Sequence, residues 1–296
     1  MEFRQLQYVI QIAKEKNFSK AAEKLHIAQP SLSQQLSKLE KEIGVLLFRR
    51  TTNSVELTHA GAVFVDKAQN ILDNIEQLKQ ELDDLANMRK GKLVVGSLSI
   101  TGSHVLPIVL PIFNKQYPSI EVVLVEDTPS KLEQLTASGQ TDLSLLALPL
   151  FEPSLEWVPI IEEDIMLAVP PDHPLVKIKD PVRIERLRSE PFIVLKKGQG
   201  FRQNVMEICE KAGFEPRIVF ESVNIETVQS LVAAGMGITF VPKMLMRDKT
   251  DERTPVYLPI AAPSPIRTLV IASRKGRYLS RAAEAFIDTM KSTLIK

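Results

Sequence analysis

Cysteine is almost missing from this 296-residue chain, in which Cys209 stands alone. One thiol excludes an intrachain disulfide and any zinc site built from several cysteines. The four histidines, at 26, 59, 104 and 173, lie too far apart for metal-ligand spacing, so no metal or cofactor is expected. No uncharged apolar run approaches the ~18 residues a membrane span needs. The first residues, MEFRQLQYVIQIAKEKN, carry a charge every few positions and do not read as a signal peptide. These absences predict a reduced, cytoplasmic protein. An excess of either charge is missing too, since Lys+Arg 37 against Asp+Glu 36 leaves +1. Residues 1–60 hold nine Lys/Arg and six Asp/Glu, a local +3 that leaves −2 for the rest. That is a weak pointer to a polyanion at the N-terminus. At 44% hydrophobic and 25% charged the chain is an ordinary globular one, long enough for about two domains.

What is present begins with short helices. Phe3, Leu6, Val9, Ile10 and Ala13 repeat at three- and four-residue spacing, the pattern of an amphipathic helix. Ser19 is a suitable N-cap for a second, with Ala21, Ala22 and Leu25 on its apolar side. Pro30 suits the first turn of a third, whose stripe is Leu32, Leu36 and Leu39 and whose end is Gly44. A hairpin over 46–50 and 54–58, turning at Thr52-Asn53, follows as a wing. A helix-turn-helix lays the start of its last helix in the DNA major groove. Here that helix offers Gln29, Pro30, Ser31, Ser33, Gln34, Gln35 and Lys38. Gln bonds adenine through both amide groups and Ser serves either base type. Arg49, Arg50 and Asn53 on the wing suit phosphates or a narrow minor groove. A solvated surface face explains such polar residues equally well when they are taken singly.

From Thr58 to about Arg89 runs the longest helical pattern. Phe64, Ala68, Ile71, Ile75, Leu78, Leu82 and Leu85 alternate spacings of four and three, which favours a dimeric coiled coil over a helix packed on its own domain. Arg89-Lys90-Gly91 reads as a hinge. Beyond it, strands over 93–97, 121–126, 143–147, 164–169, 192–195, 218–221, 238–241 and 268–272 alternate with helices over 103–116, 129–138, 201–212, 225–234 and 280–293. This predicts a mostly parallel α/β sheet, and the Pro-rich middle divides it into two lobes.

Residues 18–61, FSKAAEKLHIAQPSLSQQLSKLEKEIGVLLFRRTTNSVELTHAG, resemble the winged helix-turn-helix of LysR-type bacterial transcriptional regulators. DHPL (172–175), KKGQGFR (196–202) and SVNIETVQSLVAAGMGITFVP (222–242) are similar to the same family's effector domain. The resemblance implies a winged helix-turn-helix over 1–58, a dimerising linker helix and hinge over 59–91, and a two-lobed, periplasmic-binding-protein-like α/β domain over 92–296. Lobe I would comprise 92–162 and 266–296, lobe II 163–265, with the effector between them. It implies double-stranded operator DNA and a small-molecule effector as partners, self-association as a dimer of dimers, and RNA polymerase as a further candidate partner. Two residues depart from the family pattern. Ala28 stands where Ser or Thr often precedes the Gln-Pro pair, and Gln34 where Arg is common. Each change removes a contact to DNA and bears on operator preference.

Ligands of open α/β lobes sit beyond the C-terminal strand ends, where helix N-termini offer free N–H groups. Ser97, Ser99 and Thr101 follow one predicted strand and Thr128 another; Gly198, Gly200, Phe201 and Arg202 follow a third, Asn224 a fourth. Hydroxyls, glycines and a guanidinium converging on one cleft suit a small carboxylate. Caps and turns account for several of these residues on their own, and Arg202 has Glu207 and Glu210 within reach on its own helix. Peroxide-sensing members of the family use two cysteines, and lone Cys209 reads as buried packing. Ser103 beside His104 lacks the G-x-S-x-G context of a hydrolase. A transport solute-binding module and an α/β enzyme are the competing classes. The helix-turn-helix argues against the first, and the absence of a nucleophile, metal or phosphate-loop motif against the second.

Overall fold

A computed structural model of the chain describes residues 1–50, 55–85, 91–248 and 254–294; the side chains of residues 50, 80 and 83–85 are outside that description. The chain divides into two compact units, Met1–Met88 with Ser138–Gln140, and Arg89–Ala137 with Thr141–Lys296.

The first unit opens with α1 (Phe3–Glu15), α2 (Phe18–Lys24) and α3 (Gln29–Ile43), then β1 (Phe48–Arg50), β2 (Val55–Leu57) and the long α4 (His59–Leu85). Val9, Ile12, Ala21, Ala22, Leu32, Leu36, Leu39 and Leu47 form its core. Phe3, expected in the apolar stripe of α1, is exposed at the first position of the helix. The expected cap Ser19 lies inside α2. Asn17 caps instead, its Oδ1 accepting the Lys20 N–H at 3.0 Å, and Phe18 thereby packs edge-on against Phe48. Gly44 ends α3 in the left-handed region, φ 75°. Gly61 lets α4 begin close against the wing, since a Cβ there would meet the Leu47 carbonyl oxygen at 2.0 Å.

The second unit starts with β3 (Gly91–Ser97), so Gly91, assigned to the hinge, is already paired with Ile120 in a sheet. Next come α5 (Ser99–Gln116), β4 (Ile120–Glu126), α6 (Pro129–Ala137), β5 (Leu143–Ala147) and the long β6 (Leu155–Val169). Then follow β7 (Pro191–Leu195), α7 (Gly200–Lys211), β8 (Arg217–Ser222), α8 (Ile225–Ala233), β9 (Thr239–Pro242), β10 (Val256–Leu258), β11 (Ile266–Arg274) and α9 (Arg281–Leu294). Helix α5 begins four residues before its predicted start. Ser-Ile-Thr-Gly is a weak helix opening on propensity, but Gly102 permits close approach: a Cβ there would meet Ser97 Oγ at 2.8 Å.

The sheet is more mixed than expected. Strand β3 pairs parallel with β4 and β5, and β7 parallel with β8. Strand β11 runs antiparallel to both β5 and β6, and β6 antiparallel to β9 and β10. The strand order is β10-β6-β11-β5-β3-β4, with β9 also on β6. Strand β6 is continuous through two cores. Over 155–164 it pairs with β11 beside the core of Leu93, Val109, Phe113, Ile271 and Phe286. Over 165–169 it belongs to the core of Leu167, Phe192, Val205, Val228 and Phe240.

Candidate functional site

In the first unit Leu32, Leu36 and Leu39 bury one side of α3, which turns the other side outward. Gln29, Pro30, Ser31, Gln34 and Lys38 are exposed, and Ser33 and Gln35 half-buried. Ala28 at the N-cap is extended (φ −71°, ψ 136°) and makes no side-chain cap for the opening N–H groups of α3. The wing is anchored to this helix by Glu40, whose Oε1 accepts the Leu47 N–H at 2.7 Å and the Phe48 N–H at 3.3 Å. Arg49 on β1 is exposed. Asn53 and the side chain of Arg50 lie outside the described residues.

Helix α4 is opened by Thr58, whose Oγ1 accepts the Gly61 N–H at 2.9 Å. Its apolar seam is divided. Phe64 packs against the helix-turn-helix core, Ala68 is buried and Ile75 half-buried, whereas Ile71, Leu78 and Leu82 are 38%, 55% and 56% exposed. Phe64 therefore serves its own domain, because it lies within two turns of the α4 start that contacts α1. The Leu85 side chain lies outside the described residues.

The second unit holds a cavity of about 310 Å³ where β3, β4, β7 and β11 meet helix N-termini. Ser99, Thr101, Thr128, Gly200 and Phe201, all expected here, line it. So do Leu98 and Gln199, the N-cap residues of α5 and α7, neither of which makes a side-chain cap. Two helix N-termini thus bring their partial positive charge to one space.

Arg267 also lines this cavity, at 4% exposure. Its Nη2 donates to Thr101 Oγ1 at 2.8 Å, and its Nη1 lies 3.3 Å from Glu163 Oε1. The guanidinium carbon sits 5.9 Å from the Phe201 ring centroid. Its Nε is buried and has no hydrogen-bond partner among the described residues. Burial draws the guanidinium below its ordinary value, Glu163 opposes that, and the group remains a cation. Burial likewise pushes the Glu163 carboxyl up, against the Met244 N–H and Arg267, which lower it.

A second cavity, of about 750 Å³, shares Leu98, Pro129, Gln199 and Gly200 with the first. A Cβ on Gly200 would stand 3.3 Å from Leu98 and 3.2 Å from Pro129, so a side chain at this position would crowd the residues the two cavities share.

A model described as a bacterial regulatory helix-turn-helix protein, lysR family, matches residues 3–62, and a LysR substrate binding domain model matches residues 86–294. The chain belongs to the LysR family of bacterial transcriptional regulators. An uncharacterized HTH-type transcriptional regulator of Bacillus subtilis, YcgK, is 40% identical over 99% of this chain and 95% of its own length. The DNA-binding transcriptional dual regulator OxyR of Escherichia coli is 31% identical over 99% and 96%. Among solved structures, a full-length OxyR variant from Pseudomonas aeruginosa superposes with TM-score 0.79 at 29% identity, covering 98% of this chain and 95% of the other. Full-length CbnR in complex with its target DNA gives TM-score 0.67 at 26% identity, covering 99% and 100%. This LysR-family chain is thus a DNA-binding transcriptional regulator with an effector-binding domain, not an enzyme. Among the described residues no helix is long and apolar enough to cross a membrane.

Several expected effector residues stand elsewhere in this LysR-type domain. Ser97 is buried and its Oγ donates to the Leu98 carbonyl at 3.1 Å, outside the 310 Å³ cavity. Gly198 and Arg202 line the larger cavity. Arg202 donates to the Leu195 carbonyl at 2.7 Å and pairs with Glu221 of β8 instead of the carboxylates of its own helix, because the strand is nearer than the next helical turn. Asn224 is a cap, its Oδ1 accepting the Glu226 N–H at 2.7 Å. Arg267 and Glu163 were not anticipated. The available signal was an arginine placed just ahead of the apolar LVIA run of the strand IRTLVIASR.

Proposed function

We propose that this LysR-family regulator reads a dyad operator with Gln29, Ser33 and Gln34 of α3, holds phosphates with Lys38, Arg49 and Arg50, and is switched by a small carboxylate bound against Arg267. The observation that carries the effector class is the buried, unpartnered Nε of Arg267 beside two helix N-termini without side-chain caps. A guanidinium has five N–H donors, and a buried one left idle loses free energy until an acceptor arrives. A carboxylate is planar, accepts two N–H bonds together, and carries the charge that helix N-termini favour. Ser99 and Thr128, exposed on the rim, add hydroxyls, and the volume limits the ligand to a few carbons or one ring. The two lobes expected from the sequence would have Thr101 and Arg267 on one side and Phe201 on the other, with the first passage between them at Asp164–Ile165 and not before Glu163.

Dimer formation follows from α4, whose exposed Ile71, Leu78 and Leu82 repeat on one seam. Pairing of effector domains into a dimer of dimers is supported by exposed Ile108, Ile112 and Leu124 around the edge strand β4, and exposed Val219 and Phe220 on β8. Peroxide sensing, raised by the names of the OxyR relatives, is not favoured. Cys209 is buried and its thiol is pushed up to about 12 by burial, so the nucleophilic thiolate is scarce near neutral pH.

Isothermal titration of the full-length protein with acetate, pyruvate, succinate and benzoate tests this reading. At least one should bind, with Thr128→Val and Arg267→Gln weakening it and the ligand altering the operator footprint. A ligand that changes the footprint yet binds both variants like the parent protein places the effector elsewhere.

A further inference from the structure

Glu163 and Arg267 stand directly opposite each other in the β6–β11 register, at 8% and 4% exposure. Glu163 divides its two oxygens. Oε1 faces Arg267 at 3.3 Å, a long contact for an ion pair, and Oε2 accepts the Met244 N–H at 2.9 Å. Before any ligand arrives the two charges cancel. A carboxylate arriving at Arg267 would set two anions against one guanidinium that is itself almost out of water. Like charges sharing such a site cannot both persist without cost, and one of them takes a proton.

Resting on the carboxylate reading above, we propose that the effector enters this cavity together with one proton, which Glu163 takes up as it yields Arg267 to the incoming anion. The proton comes from solvent and no other bond is made or broken. Protonated, Glu163 retains an acceptor oxygen for the Met244 N–H; it stands behind Arg267 and not in the cavity lining, so its effect on the ligand runs through the guanidinium. Glu163 is the group placed to receive it, since desolvation already raises its carboxyl toward the protonated form. The charged groups around it are Arg267 on β11, His104 on α5 and Asp164 on its own strand. Asp164 lies 3.9 Å from Lys243. His104 Nδ1 is held 3.0 Å from the Ile100 carbonyl and 3.1 Å from Ser103 Oγ. Asp127, also in the cavity lining, is exposed and its charge is screened by water.

Linkage gives the sign. Uptake occurs between the carboxyl's value in the free protein and its higher value in the complex, so affinity is greatest at low pH and falls as pH rises through that window. Acetate, pyruvate and benzoate are fully ionised above about pH 6, so their own titration does not intrude; succinate, whose second carboxyl titrates higher because of the first, is compared only above about pH 7.

The test is calorimetric titration of the full chain with acetate, pyruvate, succinate and benzoate between about pH 6 and 8.5, each in MOPS and in Tris. The expected result is a Kd that rises by up to about tenfold per pH unit and a heat that differs between the buffers by close to one proton's ionisation. Glu163→Gln should abolish both signatures, while His104→Gln and Asp127→Asn should keep them. A carboxylate that binds equally at all pH values with buffer-independent heat overturns proton uptake and leaves the carboxylate reading standing. Failure of every probe to bind overturns both. Loss of the pH slope in His104→Gln assigns the proton to the imidazole and overturns the role given to Glu163. Should Glu163→Gln fail to fold, the wild-type buffer dependence and the two controls decide the matter.

Discussion

The guanidinium of Arg267 and the carboxylate of Glu163 are both out of water, so removing either strands the charge of the other. Arg267→Met should lower the stability of the effector-binding domain by about 3–5 kcal/mol in urea unfolding. Adding Glu163→Leu to it should restore most of that loss, because two well-packed apolar side chains replace an ion pair at little net cost. At Cys209 a buried thiol pushed up to about 12 should resist iodoacetamide in the native protein at pH 8 and react promptly in urea; rapid native labelling would contradict its burial. The hydroxyls of Ser99, Thr101 and Thr128 and the helix start at Gly200-Phe201 were legible in the sequence because strand ends and helix starts are local features. Arg267 was not, because its partner Glu163 lies 104 residues away and its burial is decided by α5 and α7.

Helix ends show the same division at the next scale. Asn17 and Ser19 are both good caps two residues apart, and local chemistry alone does not choose between them. The choice falls to Phe18, which must enter the first turn of α2 to reach Phe48. Asn17→Ala should therefore cost about 1 kcal/mol in thermal unfolding, whereas Ser19→Ala should be nearly neutral. Ala28 leaves α3 without a side-chain cap, so Ala28→Ser should stabilise the helix-turn-helix by roughly 0.5–2 kcal/mol. In DNA binding, Ser33→Ala and Gln34→Ala should each reduce discrimination at one base position by about 1–3 kcal/mol. Arg49→Ala should instead weaken all sequences alike and flatten the salt dependence by about one unit of slope, as read from titrations at several salt concentrations. The heptads of α4 were fully visible in the sequence. What they did not disclose is that Phe64 belongs to the helix-turn-helix core, since seam and core share one helical face there.

In the whole molecule, the proposed reading of a dyad operator requires two copies of α3 on one duplex. A charge at Leu78, 55% exposed in the single chain, should leave the effector-binding domain folded and still break the α4 pairing. Sedimentation of Leu78→Glu should show the loss of that dimer contact, and mobility shifts a loss of operator affinity; unchanged affinity would remove the coiled coil from the account. The two cores joined by β6 have a mechanical consequence. The chain passes between them at Asp164–Ile165 in β6 and again at Pro265–Ile266 entering β11, and the Ile165 N–H donates to the Pro265 carbonyl at 3.0 Å across the two crossings. Two adjacent, hydrogen-bonded strands behave as a torsion bar, stiff to stretching and shear and compliant to twist. Glu163 and Arg267 lie within two residues of that axis. A change of charge there therefore acts on the hinge line itself and not at the periphery of either core.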